Sequence, residues 1–208
     1  MFHVKHFHSV SDLGQQFQLS EPVKAKLQAY AELLIKWQHK INLIGPDTLP
    51  DLWHRHMADS AQLFELIPPG SGRVADLGSG AGFPGLVLAI MGAPDVHLIE
   101  SDSRKAAFLN EAVRITECAA TVHPVRAEQV SPLGADVTVS RALAPLVRLI
   151  PLALPHLVGS GICVFPKGKA CEDELTAAGK EWIMAVRRVP SLTDPNASIL
   201  VLSEVKRA

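Results

Sequence analysis

Residues 76–85 read Asp-Leu-Gly-Ser-Gly-Ala-Gly-Phe-Pro-Gly, and they stand between a short apolar run, Arg73–Leu77, and a longer one, Pro84–Met91. Glycines allow positive φ and let a ligand touch backbone, while a proline in the first helical turn lacks only an N–H that would be unpaired anyway. The stretch therefore reads as a strand, a glycine loop and a helix N-terminus whose free N–H groups face whatever binds there. The same alternation continues downstream. Strands are predicted at Val96–Glu100, Thr121–Val125, Asp136–Ser140 and Gly161–Phe165, with helices at Arg104–Thr116, Leu146–Leu157 and Glu172–Val186. Repeated βαβ units of right-handed connection give a doubly wound, mainly parallel α/β sheet. Val186–Leu192 and Ser198–Val205 are joined only by Thr193-Asp194-Pro195-Asn196, too short for a crossover helix, so the final strands should pair antiparallel.

Upstream of residue 70 the pattern is helical. Ser20-Glu21-Pro22 reads as a helix start, and Val23, Leu27, Tyr30, Leu33, Leu34, Trp37 and Ile41 recur at helical spacing. A second helical stretch fills Thr48 to Ile67 and stops at Pro68-Pro69-Gly70. Three segments follow from this: a flexible tail over 1–19, an N-terminal helical segment over 20–70 packed on the core, and the α/β domain over 71–208. The tail carries His3, His6 and His8 without a fixed further ligand, so no metal site is expected.

The 208 residues are 48% hydrophobic and 20% charged, enough to build a core without disulfides, and Pro and Arg interrupt every long apolar stretch, which excludes a transmembrane helix. Three scattered cysteines and an N-terminus lacking a secretory apolar region point to a reduced, cytoplasmic protein. A net charge of −1 means that any nucleic-acid surface must be a local patch. The short basic groups Lys167/Lys169 and Arg187-Arg188 are the candidates.

Two cofactor classes compete for the glycine loop. Gly80-x-Gly82-x-x-Gly85 matches the dinucleotide fingerprint of NAD-dependent oxidoreductases, but it begins three residues past Leu77 and not at the strand end. An acidic-x-Gly-x-Gly-x-Gly loop of the S-adenosylmethionine-dependent methyltransferase type begins at Asp76 and Gly78, in register. Glu100 closes the second strand, where a carboxylate can accept hydrogen bonds from ribose hydroxyls in either class. Gly78, Gly80, Gly82 and Glu100 are therefore cofactor-binding candidates.

Five stretches carry a more specific resemblance: Asn42-Leu43-Ile44-Gly45, His54-Arg55-His56-Met57-Ala58-Asp59-Ser60, Gly78 through Gly85, Ser140-Arg141-Ala142, and Lys167-Gly168. In order and spacing, from about residue 25 onward, they resemble the bacterial small-subunit rRNA guanine-N7 methyltransferase family, RsmG or GidB. The resemblance implies a Rossmann-like class I fold, methyl transfer from S-adenosylmethionine to N7 of one guanine in 16S rRNA, and cofactor contacts at Gly78, Phe83, the pair Ala127-Glu128, and Arg141. Phe165-Pro166-Lys167 departs from the pattern by its proline.

The chemistry agrees with this acceptor. The polar Asn/Asp-Pro-Pro-aromatic clamp of amine methylation is missing after the fourth strand, and Cys118 and Cys163 sit in apolar contexts unsuited to a nucleophile. Guanine N7 needs neither, because its lone pair carries no proton; no general base is expected, only positioning. Arg141, just past the fourth strand, can pair with the cofactor carboxylate or with a protein acid. Glu128 can help place the adenine or stand as an exposed loop acid. Lys167, Lys169, Arg187 and Arg188 are candidate RNA contacts, and the base must be unpaired or extruded to show its N7 edge. His56 and Asp59, three apart, are read as a structural hydrogen bond, with RNA contact the alternative. A non-catalytic RNA-binding assembly factor is the other non-oxidoreductase reading.

Overall fold

A computed structural model describes residues 5–208. The first apolar run becomes β1 (Val74–Leu77), buried at every position. It lies inside the sheet, flanked on both sides by parallel neighbours, β2 (Val96–Ile99) and β4 (Ala135–Val139). With β3 (Ala120–His123), β5 (Leu157–Lys167), β6 (Trp182–Pro190) and β7 (Ser198–Arg207), the seven-stranded sheet has the order β3-β2-β1-β4-β5-β7-β6. β7 runs antiparallel to both β5 and β6. The strand order reverses between β1 and β4, and at such a point the carboxyl ends of the strands open a crevice.

Helices α4 (Gly85–Met91) and α5 (Ser103–Thr116) pack one face of the sheet together with α2 (Glu21–Gln38), whose Leu27, Tyr30 and Leu34 are buried. Helices α6 (Leu146–Ala153) and α7 (Cys171–Ala178) cover the other face, over Leu77, Ile99 and Phe165. Between α2 and β1 the chain winds tightly: a 3-10 turn at Pro46–Asp51, a π-helical turn at Trp53–Ala58, and the short α3 (Asp59–Ala61).

Three expectations change. The helix predicted to Leu157 ends at Ala153, where Pro155 lies ahead and a 3-10 turn, Leu154–His156, takes over. The helix predicted over Glu172–Val186 ends at Ala178, and β6 begins at Trp182; an apolar run alone does not separate strand from helix, and pairing along β7 decides it here. The flexible tail is overturned for its described part. Ser9 caps α1 (Val10–Phe17) by accepting from the Asp12 N–H at 3.3 Å, and Phe7 and Leu13 are buried in the core. His6 stacks on His54 with ring centroids 4.5 Å apart. His3 lies outside the described residues, and no cluster among the described residues could hold a metal ion.

Candidate active site

At the carboxyl edge of β1 and β4 lies a cleft of about 1230 Å³ lined by the glycine loop, the π turn, the segment after β4 and the hairpin between β6 and β7. Gly78, Gly80 and Gly82 all adopt positive φ, at 70°, 57° and 100°. A Cβ at Gly78 would come within 2.7 Å of the Leu143 side chain, which would have to move aside. Gly80 is open above its Cα and donates its N–H to Glu100 Oε2 at 2.8 Å, while Glu100 Oε1 accepts from the Asp102 N–H at 2.7 Å. The acid that closes β2 is thus buried and fastened to the loop. Gly82 does not line the cleft; it faces Tyr30 and Leu86, so its lack of a side chain serves packing under α2.

Asp76 sits beneath the loop, fully buried. Its Oδ2 accepts from the Gly85 N–H at 3.0 Å, while Oδ1 has no partner. Burial pushes its carboxyl up to about 7, against the lowering pull of the Gly85 N–H. Phe83, which precedes Pro84 through a cis peptide bond, is buried with its ring 5.6 Å from Tyr30 and 5.0 Å from His56. The Arg141 guanidinium lies over the same ring at 5.1 Å.

Arg141 is held on three sides. One Nη donates to Arg55 O at 2.9 Å and to Asp59 Oδ2 at 3.2 Å, and the other to His56 Nδ1 at 2.7 Å. Because a guanidinium only donates, His56 Nδ1 must accept, leaving Nε2–H to donate to Thr48 Oγ1 at 2.8 Å. His56 is therefore neutral, and burial, reinforced by Arg141 and Arg55, lowers its pKa to about 3. The expected bond between His56 and Asp59 is replaced by a shared bond to Arg141.

The other predicted residues separate into near and far. Ala127 is buried in a 3-10 turn after β3 with its carbonyl accepting from His156 Nε2 at 3.2 Å, and Glu128 is exposed; both lie outside the cleft lining. Lys167 lines the cleft but is only 8% exposed, paired with Glu174 at 2.8 Å and donating to Ala144 O at 3.1 Å. This corrects its reading as an RNA contact: it braces the segment after β4. Arg188 is likewise engaged, with Glu172, and Arg187 is exposed on β6 away from the cleft. Lys169 remains exposed beside the cleft residue Gly168. Burial raises the Cys163 thiol to about 11, unfit for a nucleophile.

Glycine loop after β1, acid at the end of β2 and antiparallel β7 together define a class I S-adenosylmethionine-dependent methyltransferase. At 14% identity, the fold superposes on M. jannaschii TYW2 in complex with AdoMet with a TM-score of 0.52, over 72% of this chain and 77% of that one. The family described as GidB, rRNA small subunit methyltransferase G, matches residues 23–200. The Ribosomal RNA small subunit methyltransferase G of Paramagnetospirillum magneticum is 62% identical over 91% of this chain and 92% of that protein. Its counterpart from Rhodospirillum centenum is 54% identical over 94% and 90%. The chain belongs to the rRNA small subunit methyltransferase G family.

Proposed function

We propose that the chain transfers the methyl group of S-adenosylmethionine to N7 of a guanine in 16S rRNA. One observation carries the choice of acceptor: the two titratable side chains that touch Arg141 in the cleft are committed and cannot act as bases. His56 has its acceptor nitrogen occupied by Arg141, and the Asp59 carboxylate is engaged at both oxygens. An exocyclic amine would need a base, whereas the N7 lone pair does not.

The residues present fit the cofactor. Gly78 and Gly80 leave backbone exposed where a side chain would intrude, and each Glu100 oxygen accepts one backbone N–H and keeps a lone pair for a ribose hydroxyl. When bound, S-adenosylmethionine supplies an electrophilic methyl on a sulfonium. The protein aligns and desolvates. Phe83 offers an apolar wall and Arg141 a fixed positive charge with N–H groups to spare; the Ala127-Glu128 turn after β3, outside the cleft lining, is given the adenine side by the family resemblance alone. Lys169 is placed to meet RNA phosphate.

Labelled-methyl transfer to 16S rRNA lacking the modification, followed by nucleoside mapping, tests this reading. The expected product is 7-methylguanosine at one position. Label on an exocyclic amine, or no incorporation, would contradict it.

A further inference from the structure

Asp59 joins three segments far apart in the sequence. Its Oδ2 takes the Arg141 guanidinium at 3.2 Å; its Oδ1 accepts from the Thr193 hydroxyl at 2.9 Å and from the Gln62 side-chain amide at 2.9 Å. Gln62 Oε1 in turn accepts the Leu192 N–H at 2.8 Å, so the turn of the β6–β7 hairpin is fastened to the same carboxylate. Within that turn, the Ser191 hydroxyl oxygen takes the N–H groups of Thr193 and Asp194 at 3.2 and 3.3 Å. Ser191, Thr193 and Asp194 line the same cleft as the glycine loop.

We infer that Asp59 is a positioning residue, which sets the Arg141 guanidinium in the cleft and locks the hairpin at residues 191–197 to it, so that the guanidinium and the hairpin are held in one geometry.

Charge and direction support this. Asp59 is the one carboxylate bridged to Arg141 among the described residues, and both side chains are 19% exposed, so the pair is shielded enough for its geometry to persist. His56 cannot substitute, being neutral and already committed to Thr48. The proton directions are forced along the chain: Arg141 gives to His56, His56 to Thr48, and the Thr48 hydroxyl to Gly45 O at 2.7 Å. Removing the negative charge frees Arg141 on its only ionic side, and an amide in its place turns a donor toward a donor.

The proposal rests on the methyl-transfer reading, and the test keeps the two apart. Single-turnover methyl transfer at saturating S-adenosylmethionine is measured on unmodified 16S rRNA for Asp59→Asn, Arg141→Ala, Thr193→Val and the pairwise combinations, with thermal denaturation of each. Asp59→Asn should slow transfer on the order of 10–100-fold. Thr193→Val should slow it by about threefold to tenfold. Each effect should largely vanish when combined, Asp59→Asn costing less than about threefold in the Arg141→Ala background, and Thr193→Val likewise in Asp59→Asn. Additive losses that track melting temperature would overturn the proposal. Should the wild type transfer no methyl to rRNA, the functional reading fails, and nitrogen-15 spectra still decide. Asp59→Asn should shift the Arg141 guanidinium and His56 Nδ1 resonances, and unchanged resonances would overturn the positioning role. If Asp59→Asn does not fold, Thr193→Val carries the same spectroscopic test.

Discussion

The two walls of the cleft are built by opposite means. On the β1–β2 wall the polar groups close on backbone: Gly80 N–H on Glu100, Gly85 N–H on Asp76, and Ser79 N–H on Ile99 O at 2.9 Å. On the β4–β7 wall they close on side chains, with Arg141, Asp59, His56, Gln62 and Thr193 satisfying one another. A backbone wall is rigid and intolerant of added atoms; a side-chain wall is intolerant of lost ones. Substitutions on the two should therefore fail in different ways.

The largest effect is expected on the backbone wall. Gly78→Val adds a branched side chain at a φ of 70° and directly into Leu143. Binding of S-adenosylhomocysteine, measured by calorimetry, should weaken at least a thousandfold, or about 4 kcal/mol. Retained affinity would mean that the loop is not the cofactor cradle.

The side-chain wall yields a contrast between two cations at strand ends, Arg141 just past β4 and Lys167 at the end of β5, each paired with a carboxylate. Arg141→Ala should cost about 3 kcal/mol in kcat/KM for methyl transfer and less in stability. Lys167→Met should do the reverse. It leaves the Ala144 carbonyl unpaired and Glu174 with only the Leu146 N–H, so urea denaturation should show a loss of about 2 kcal/mol, while the salt dependence of RNA binding stays unchanged.

These contrasts also mark what the sequence could show. The backbone wall is legible because its parts are local: Asp76, the glycines and Glu100 lie within 25 residues and recur at spacings that sheet geometry imposes. The mainly parallel sheet and its antiparallel end follow from element alternation and one short turn. The other wall is assembled from residues 48–62, 141 and 191–194, and no local period links them. The motif around His56 and Asp59 was visible, but which partner each side chain takes depends on the π turn at Trp53–Ala58 and on how the hairpin folds back. Lys167 shows the same limit. A lysine after a strand reads as a surface cation until Glu174, on the following helix, is seen to bury it.

A subtler difference between the walls lies in their protons. His56, at about 3 when folded and near 6.5 unfolded, binds a proton in the unfolded chain first, so it weakens the fold as pH falls below 6.5. Asp76, at about 7 when folded against an ordinary 3.8, binds its proton in the folded chain first, so its contribution is present in acid and is lost as pH rises toward 7. Between about pH 4 and 6.5 the two slopes oppose, and wild-type stability should change little on their account. Asp76→Asn removes one of them. Urea denaturation should then show about 2 kcal/mol lost between pH 6.5 and 5 relative to wild type, near the 1.4 kcal/mol per unit of a single proton. A parallel shift at both pH values would mean that Asp76 does not hold its proton in the fold.

The smallest expected effect is the most direct test that both walls act by positioning alone. At saturating S-adenosylmethionine and RNA, the single-turnover rate of methyl transfer should stay nearly flat between about pH 6.5 and 8.5, since neither the N7 lone pair nor the methyl donor titrates there. A tenfold rise per pH unit, abolished by substituting His56 or Asp59, would contradict the account: a base would then act in the chemical step, and the acceptor would be an exocyclic amine.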